Sequence, residues 1–305
     1  MTERQRFSLN GPTMGTRFSA VFHAPADYDE HALALRLQHA VDVVDQEMST
    51  WKPGSDLNRL NAAPVGSWVQ LPQRLMRVLE AALAINHQSS GAFDIGVGHQ
   101  VARWGFGAHA VQPMPATGQK RFGRQWMTAE TLLLDPPSKR AKRLTEQSFD
   151  LSGIAKGFGV DELGDVLNAS GIRSWLAGID GEMRSCGRKP DGSPWAIGHE
   201  RPVPGKRDVM GVIELTDRAV ATSGTYRHFR DEGGCRISHT IDPRDGCPVA
   251  NDIASVTVLA PTCMEADAWA TALLVMGERD ALGSARQHGL DAVIVRADQS
   301  TAATL

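Results

Sequence analysis

The second half of the chain contains a series of short strand patterns that are separated by turn residues, with no helical pattern between them. They cover 174–179, 194–199, 208–215, 219–222 and 235–241. The helical patterns lie in blocks on either side of this series. Strands and helices grouped in this way are typical of an α+β fold, with mixed or antiparallel sheets flanked by helices, rather than of a doubly wound parallel sheet.

The helical blocks carry apolar residues at the three- and four-residue spacing of one helix face. Helices are predicted over 29–50, 72–87, 158–170, 263–276 and 279–288. Further strands are predicted at 17–22, 254–260 and 291–296, and 106–149 is predicted as an irregular connection that contains a strand pair. We find no internal repeat and no linker, so residues 1–305 are expected to form one domain, or two closely packed lobes.

Composition and charge exclude several classes of protein. The formal net charge of −3 gives no overall basic field, so a nucleic-acid partner is not expected. No run approaches the ~20 apolar residues that cross a bilayer, so no transmembrane segment is expected. The first residues, MTERQRFSLNGP, are polar and lack the apolar part of a secretory signal, which predicts a cytoplasmic location, although a chain with its leader removed would look the same. The four cysteines form no C-x-x-C pair, so neither a zinc site nor a redox dithiol is expected.

The predicted helix at 263–276 carries a pair of oxygen-bearing side chains. Thr262 and Glu265 have the spacing of a capping box, which places the helix start near Thr262. Asp267 and Thr271 are then one turn apart on the same face. A carboxylate and a hydroxyl suit Mg²⁺, which takes water and phosphate oxygens as its other ligands. Alternatively, the two side chains hydrogen-bond each other near the helix start.

Two further segments carry groups that could bind phosphate or accept a proton. FDLSGIAKGFG (149–159) is predicted as a strand end, a small-residue turn and a helix start, where free backbone N–H groups and Lys156 can hold phosphate. The alternative is a tight turn with a solvated lysine. SHTIDPRDGCPV (238–249) places His239 at a strand end beside a rigid turn, where a histidine can act as a general base or simply cap or pack. Gly96-Val97-Gly98 is no dinucleotide fingerprint, because Val101 stands where the third glycine belongs.

Eight segments in order resemble the FAD:protein FMN transferase (ApbE-type) family, from about residue 13 to about residue 290. The segments are TMGT (13–16), MSTWKPGSDLNRLN (48–61), GAFDIGVG (91–98) with RWGFG (103–107), DLSGIAKG (150–157), KPDGSPWAIG (189–198), AVATSG (219–224), HTIDPRDGCPV (239–249) and ASVTVLAPTCMEADAWATALLV (254–275). Each is a weak signal alone, and their shared order makes the resemblance specific.

The resemblance implies a pocket for FAD, which is the substrate, and a Mg²⁺ site. The residues at positions that contact FAD in the family are Met14, Trp51, Ala92, Phe93, Asp94, Asp150, Lys156 and Ile241. The metal is assigned to Asp267, Thr271 and the backbone carbonyl of Gly153. Ala270 stands where some relatives have a further carboxylate.

The segment GIDGEMR (178–184) departs from the family. Relatives usually show an asparagine and then Gly-Gly-Asp, whereas this chain has Gly178 and then Asp180, Gly181 and Glu182. Glu182 keeps the acidic end. Asp180 replaces a glycine, so we expect a different local backbone or acceptor groove.

The resemblance implies an enzyme that moves the FMN half of FAD to a threonine or serine hydroxyl of an acceptor flavoprotein and releases AMP. Mg²⁺ on Asp267 and Thr271 would neutralise charge at the diphosphate, and Lys156 would support the phosphates. His239 is the candidate base for the acceptor hydroxyl. A FAD pyrophosphatase that gives FMN and AMP, and a non-catalytic FAD-binding protein, are the alternative readings.

Overall fold

The computed structural model describes residues 4–110, 127–206, 208–227, 229–232 and 235–304. The strands of this part of the chain are β1 (Arg4–Thr13), β2 (Thr16–Pro25), β3 (Trp68–Gln70), β4 (Leu132–Asp135), β5 (Arg140–Arg143), β6 (Trp175–Ile179), β7 (Glu182–Cys186), β8 (Trp195–Glu200), β9 (Val209–Leu215), β10 (Ala219–Gly224), β11 (Phe229–Glu232), β12 (Cys235–Ser238), β13 (Ile241–Asp242), β14 (Cys247–Pro248), β15 (Ile253–Ala260), β16 (Asp291–Arg296) and β17 (Thr301–Ala303). The helices are α1 (Glu30–Met48), α2 (Asp56–Ala62), α3 (Gln73–Gln88), α4 (Gly98–Arg103), α5 (Thr128–Thr131), α6 (Ala155–Ala169), α7 (Cys263–Met276) and α8 (Glu278–Gln287).

An eight-stranded sheet organises the molecule, in the order β1-β2-β6-β7-β10-β15-β16-β17. Every neighbouring pair in it is antiparallel. A three-stranded sheet (β3-β5-β4) and three two-stranded ribbons (β8-β9, β11-β12 and β13-β14) complete the described strands. The predicted α+β class with antiparallel sheets and flanking helices is confirmed.

Two tight hairpin turns lie side by side at one end of this sheet. β1 and β2 are joined by Met14 and Gly15, whose φ angles are 46° and 73°. Two successive left-handed residues define the hairpin turn whose twist matches that of the strands. Asp180 and Gly181 join β6 to β7 in the same way, with φ angles of 53° and 115°. Because Phe18 pairs with Ile179, the two turns are neighbours.

Successive side chains of each strand point to opposite faces of the sheet, and both faces are covered by other elements. On one face, strand residues such as Phe22 and Trp175 pack with α1 and α6, and α7 lies beside them. On the other face, Val21 and Val220 pack with Trp195 of the β8-β9 ribbon. α7 is apolar almost all round and is nearly completely buried, as expected for a helix in the core. No helix in the described ranges has the length and apolar character that a membrane span requires.

The sequence located most elements and misjudged some of their ends. The helix expected from residue 158 begins at Ala155, and the strand expected at 235–241 is divided into β12 and β13. The strand pair expected inside 106–149 is present as β4 and β5, while 111–126 lies outside the described residues. The elements that were not predicted are β1, β3, β7, β11, β14, β17, α2, α4 and α5. β1 and β7 each form a hairpin with a predicted strand. The strand expected to end at residue 149 is absent, because 144–150 is irregular.

Candidate active site at the α6–α7 junction

The start of α7 is fixed by its own sequence. Thr262 Oγ1 accepts a hydrogen bond from the backbone N–H of Glu265 at 3.3 Å. The two side chains also contact each other, with Thr262 Oγ1 2.9 Å from Glu265 Oε2. The helix therefore begins where the sequence predicted, with Thr262 as its N-cap. The Glu265 carboxylate accepts from the Thr262 hydroxyl and not from the Thr262 N–H, so only half of the predicted capping box forms.

A second acid, from α6, also caps α7. The carboxylate of Asp161 accepts the backbone N–H groups of Cys263 at 3.0 Å and of Met264 at 2.9 Å. Arg184 of β7 donates to the same carboxylate at 2.9 Å. Burial raises the pKa of Asp161, and the two backbone hydrogen bonds and Arg184 oppose that rise. The sequence analysis missed this residue. The available signal was an acid placed inside the apolar run of a predicted helix.

α6 and α7 touch through their backbones at Gly157. A Cβ atom on this residue would lie 2.3 Å from the carbonyl oxygen of Cys263, so only glycine allows the approach. The N–H of Gly157 donates to Asp267 Oδ2 at 3.0 Å. Asp267 is thereby buried in the junction, at 4% exposure.

The three residues predicted to hold a metal lie around this junction. Thr271 Oγ1 is 2.9 Å from the hydroxyl of Ser223 on β10. A Cβ on Gly153 would lie 3.2 Å from Thr271 Oγ1, so the backbone of Gly153 passes directly beside that hydroxyl. Asp267 and Thr271 thus each bond to a different neighbouring element. Ser223, which the sequence analysis did not single out, adds a further hydroxyl to the group.

Lys156 supplies a cation close to Asp267. Its Nζ is 2.7 Å from Glu182 Oε1 and 3.4 Å from Asp180 Oδ2, so both acids of the altered hairpin turn reach it. Burial alone would lower the pKa of Lys156, but the charges of Glu182, Asp267 and Asp180 raise it above its ordinary value. The lysine is therefore held as an ammonium ion.

Negative charge is in excess at this site. Burial and then the charge of Glu182 raise the pKa of Asp267 to about 7, and Lys156 only partly opposes this. Glu182 Oε2 is buried without a hydrogen-bond partner. A carboxylate, hydroxyls and a carbonyl are hard oxygen donors, so the residues fit a divalent cation such as Mg²⁺. The described residues contain no group of three His, Cys, Asp or Glu with metal-binding spacing, so water or phosphate oxygens would have to complete the ligand set.

The backbone at the start of α6 differs from what its sequence suggested. The N–H groups of Ile154 and Ala155 donate to the carbonyl of Leu151, and that of Gly157 donates to Asp267. Because these N–H groups already donate within the chain, fewer of them are free to bind phosphate than the sequence suggested. The side chain of Lys156 is left as the main candidate for a phosphate contact in this segment.

The loop that carries Ala92, Phe93 and Asp94 is rigidly held. Asp94 accepts from the N–H of Gly96 at 2.7 Å, from the N–H of Thr128 at 2.9 Å and from Asn86 Nδ2 at 3.0 Å, and the Thr128 hydroxyl contacts it as well. Burial raises the pKa of Asp94, and these bonds oppose the rise. The Asp94 carboxylate therefore orders the loop.

This loop adjoins the α6–α7 junction. A Cβ on Gly153 would lie 3.3 Å from the ring of Phe93, so the ring lies against the turn before α6. The N–H of Asp150 donates to the carbonyl of Ile95 at 2.7 Å, which ties the turn to the loop. Met14 also approaches the junction, since its Cε would be 3.2 Å from a Cβ on Gly159.

His239 and Ile241 belong to a separate cluster. Ile241 is buried with Trp104, whose Nε1 donates to the carbonyl of Gly246 at 2.9 Å. The ring of His239 meets the edge of Phe106, with 6.4 Å between centroids. Trp51 is different again, because it lies on the surface at 70% exposure rather than in the core. The structure thus gathers Gly153, Phe93, Lys156, Asp267 and Thr271, with Met14 and Asp150 beside them. It does not bring Trp51, His239 and Ile241 into contact with this group.

Comparison with known proteins finds one family over most of the chain. The sequence model of the ApbE family matches residues 14–294. A protein of Vibrio cholerae named FAD:protein FMN transferase is 35% identical over 292 residues, which are 95% of this chain and 87% of that protein. One of the same name from Haemophilus influenzae is 36% identical over 307 residues, covering 97% and 88%.

Solved structures are similar over nearly the whole fold. The flavin transferase ApbE of Vibrio cholerae superposes with a TM-score of 0.87 at 33% identity and covers 99% of this chain and 98% of its own. The apo flavinyl transferase ApbE of Pseudomonas stutzeri gives a TM-score of 0.85 at 30% identity and covers 100% and 97%.

Proposed function

The chain belongs to the ApbE family, and on that premise we propose that it is a FAD:protein FMN transferase. It takes the FMN half of FAD, joins it to a threonine or serine hydroxyl of an acceptor flavoprotein and releases AMP. One observation supports this proposal. The α6–α7 junction is acidic and holds Asp267, Thr271 and Gly153 together with the ammonium group of Lys156. A cytoplasmic location stays a prediction.

Asp267, Thr271 and the carbonyl of Gly153 would hold Mg²⁺, and Ser223 would orient the threonine hydroxyl. Bound there, the ion would supply positive charge to the diphosphate of FAD, which favours departure of AMP. Phosphoryl transfer depends mainly on positioning and charge stabilisation. Asp267 is buried, and hydrogen bonds hold the partly buried side chains of Thr271 and Lys156.

The contacts of Lys156 support a role in binding a phosphate of FAD. Its ammonium makes two contacts, with Glu182 and Asp180, and an ammonium has three donors. The remaining donor would reach a phosphate oxygen, while Glu182 keeps the side chain in place. The phosphate contact of Lys156 is thus positioned by the β6-β7 hairpin.

His239 would accept the proton of the acceptor hydroxyl as that oxygen attacks the phosphorus on the FMN side. Such proton transfer is worth about 10²–10⁴-fold in rate. We expect a His239→Ala variant to lose the rise in rate with increasing pH that deprotonation of a general base produces. An unchanged profile would remove the histidine from this role.

The function is tested by incubating the protein with FAD, Mg²⁺ and an unflavinylated acceptor flavoprotein, then following covalent flavin fluorescence on the acceptor and AMP by mass spectrometry. We expect one AMP per flavin transferred, and near-complete loss of both in Asp267→Asn. Asp280→Asn, an exposed acid on α8, serves as the matched control. Free FMN without labelled acceptor would show a pyrophosphatase, and intact FAD would show a binding protein. Wild-type turnover of Asp267→Asn in excess Mg²⁺ would contradict the metal site.

A further inference from the structure

The segment between β5 and α6 carries Gly153, whose carbonyl is a proposed metal ligand. Residues 144–154 all belong to the described part of the chain and form neither a helix nor a strand. The space around Gly153 is narrow, since a Cβ on it would be 3.2 Å from Thr271 Oγ1 and 3.3 Å from the ring of Phe93. The position of the Gly153 carbonyl therefore depends on the contacts that hold this irregular segment.

One side of the segment is held by the backbone at the start of α4 and just before it. The N–H of Asp150 donates to the carbonyl of Ile95 at 2.7 Å. The carbonyl of Ser148 accepts from the N–H of Gly98 at 3.0 Å. In an extended chain the residue between two such groups turns its own N–H and carbonyl to the opposite side. Phe149 is that residue, and its backbone groups need a partner on the other side.

Asn61 of α2 provides this partner and takes the place of a neighbouring strand. Its Nδ2 donates to the carbonyl of Phe149 at 2.9 Å, and its Oδ1 accepts from the N–H of Phe149 at 2.8 Å. A carboxamide carries the donor and the acceptor of a peptide unit, so it exchanges both bonds as a residue pair of an antiparallel sheet does. α2 is itself anchored, because Leu57 and Leu60 are completely buried. The Asn61 amide is therefore attached to the core.

The turn that leads from this segment into α6 is closed by its own hydrogen bonds. The N–H of Ser152 donates to Asp150 Oδ1 at 2.8 Å, and the N–H of Ile154 donates to the carbonyl of Leu151 at 3.0 Å. A turn that is closed in this way moves as a unit with the residue before it. A displacement of Phe149 is therefore carried to the proposed metal ligand.

Arg143 connects the same segment to the end of α2. Its Nη1 donates to the carbonyl of Gln147 at 2.7 Å, and its Nη2 donates to the carbonyl of Ala63 at 2.6 Å. Because this connection does not involve Asn61, a chain without the Asn61 amide keeps one link between the segment and α2. We therefore expect variants of Asn61 to fold.

We propose that Asn61 is a positioning residue for the metal site. By holding both backbone groups of Phe149, its amide fixes the following turn and keeps the Gly153 carbonyl beside Thr271. Side chains that hold a metal ligand in place typically contribute about 10–100-fold to metal affinity. The proposal rests on the metal site of the proposed function.

The test compares two variants of Asn61 with a matched control. Asn61→Leu removes both hydrogen bonds at similar size, and Asn61→Asp keeps the acceptor for the Phe149 N–H but loses the donor. The control is Asn168→Leu, which removes the acceptor of the Trp175 indole N–H from another partly buried asparagine. Asn168 lies 12 residues beyond Lys156 on α6, which is roughly 18 Å along the helix.

Three quantities are measured for each protein. Calorimetry gives the affinity for Mg²⁺ at ~0.15 M salt, which screens the charge that Asn61→Asp adds. Urea unfolding gives the stability. Amide hydrogen exchange of residues 150–155 without metal reports how well the turn is held.

We expect Asn61→Leu to weaken Mg²⁺ binding about 10–100-fold and to speed exchange in residues 150–155. Asn61→Asp should weaken Mg²⁺ binding about two- to tenfold, the size of one lost hydrogen bond. Asn168→Leu should lose stability without either change. If Asn61→Leu does not fold, Asn61→Asp decides the question.

Wild-type Mg²⁺ affinity in the folded Asn61 variants would overturn the proposal. A loss of Mg²⁺ affinity in Asn168→Leu as large as that in Asn61→Leu would do the same, because it would show a general effect of lower stability. A wild type that binds Mg²⁺ but transfers no flavin would contradict only the transferase function, since the comparison of Mg²⁺ affinities does not require flavin transfer.

Discussion

Replacing Asp161 by alanine tests the idea that α6 fixes the start of α7. The carboxylate accepts the N–H groups of Cys263 and Met264 and pairs with Arg184. Each buried N–H left without a partner costs about 1–3 kcal/mol, and breaking a buried charge pair costs about 3–5 kcal/mol. The carboxylate itself is costly to bury, as the raised pKa of Asp161 shows, which offsets part of the loss. We therefore expect Asp161→Ala to lower the free energy of unfolding by roughly 3–4 kcal/mol.

Urea unfolding followed by tryptophan fluorescence measures the change. Asp165→Ala is the matched control, because Asp165 lies one turn further along the same helix and is exposed. Both variants gain the same helix propensity, so their difference isolates the cap. We expect the control to change stability by no more than about 0.5 kcal/mol. A loss below about 1 kcal/mol in Asp161→Ala would refute the assignment of these hydrogen bonds as a main support of α7.

Four further outcomes are expected. Gly157→Ala should destabilise the protein by about 1–3 kcal/mol in urea, because its Cβ would lie 2.3 Å from a backbone oxygen; Gly283→Ala on α8, with open space around it, should be neutral or stabilising by ~0.4–1 kcal/mol. Because the pKa of Asp267 is raised to about 7, Mg²⁺ affinity by calorimetry should fall about tenfold per pH unit below that value. Without metal, the free energy of unfolding should be larger at pH 5 than at pH 8. The reason is that ionisation of Asp267 costs free energy in the folded state but not in the unfolded state. A larger free energy of unfolding at pH 8 would show that the pKa of Asp267 is not raised in the folded protein. Asp180→Gly should lower the Kd for FAD about two- to fivefold in a fluorescence titration, because Lys156 then no longer pairs with Asp180. A higher Kd would show that Asp180 helps Lys156 to bind FAD.

Local features of the site could be predicted from the sequence because they depend on neighbouring residues. The capping-box spacing of Thr262 and Glu265 predicted the start of α7, where Thr262 is the N-cap, and helical spacing placed Asp267 and Thr271 on one face. The α+β class followed from the grouping of strands and helices. The order of eight family segments added the site residues that no local pattern could assign.

Contacts between distant segments were not predictable in this way. Ser223 reaches Thr271 across 48 residues, and Lys156 reaches Glu182 across 26. One sequence contains no record of which strand lies beside which helix, so these pairs appear only in the folded chain. One of the free N–H groups expected at the start of α6 is absent for the same reason, because the N–H of Gly157 donates to the distant Asp267. The N–H groups of Ile154 and Ala155 donate locally, to the carbonyl of Leu151.

The close approach of two helices at Gly157 has a consequence for how the protein can vary. One of these helices carries Lys156, which we propose to contact phosphate, and the other carries the face that we propose to bind the metal. Their main chains are in contact at Gly157 with no side chain between them. Neither helix can shift without displacing its neighbour. Mutations far from the nucleotide that spread this junction should therefore weaken cation affinity while the protein is still folded, and compensating changes should arise in pairs, one in each helix.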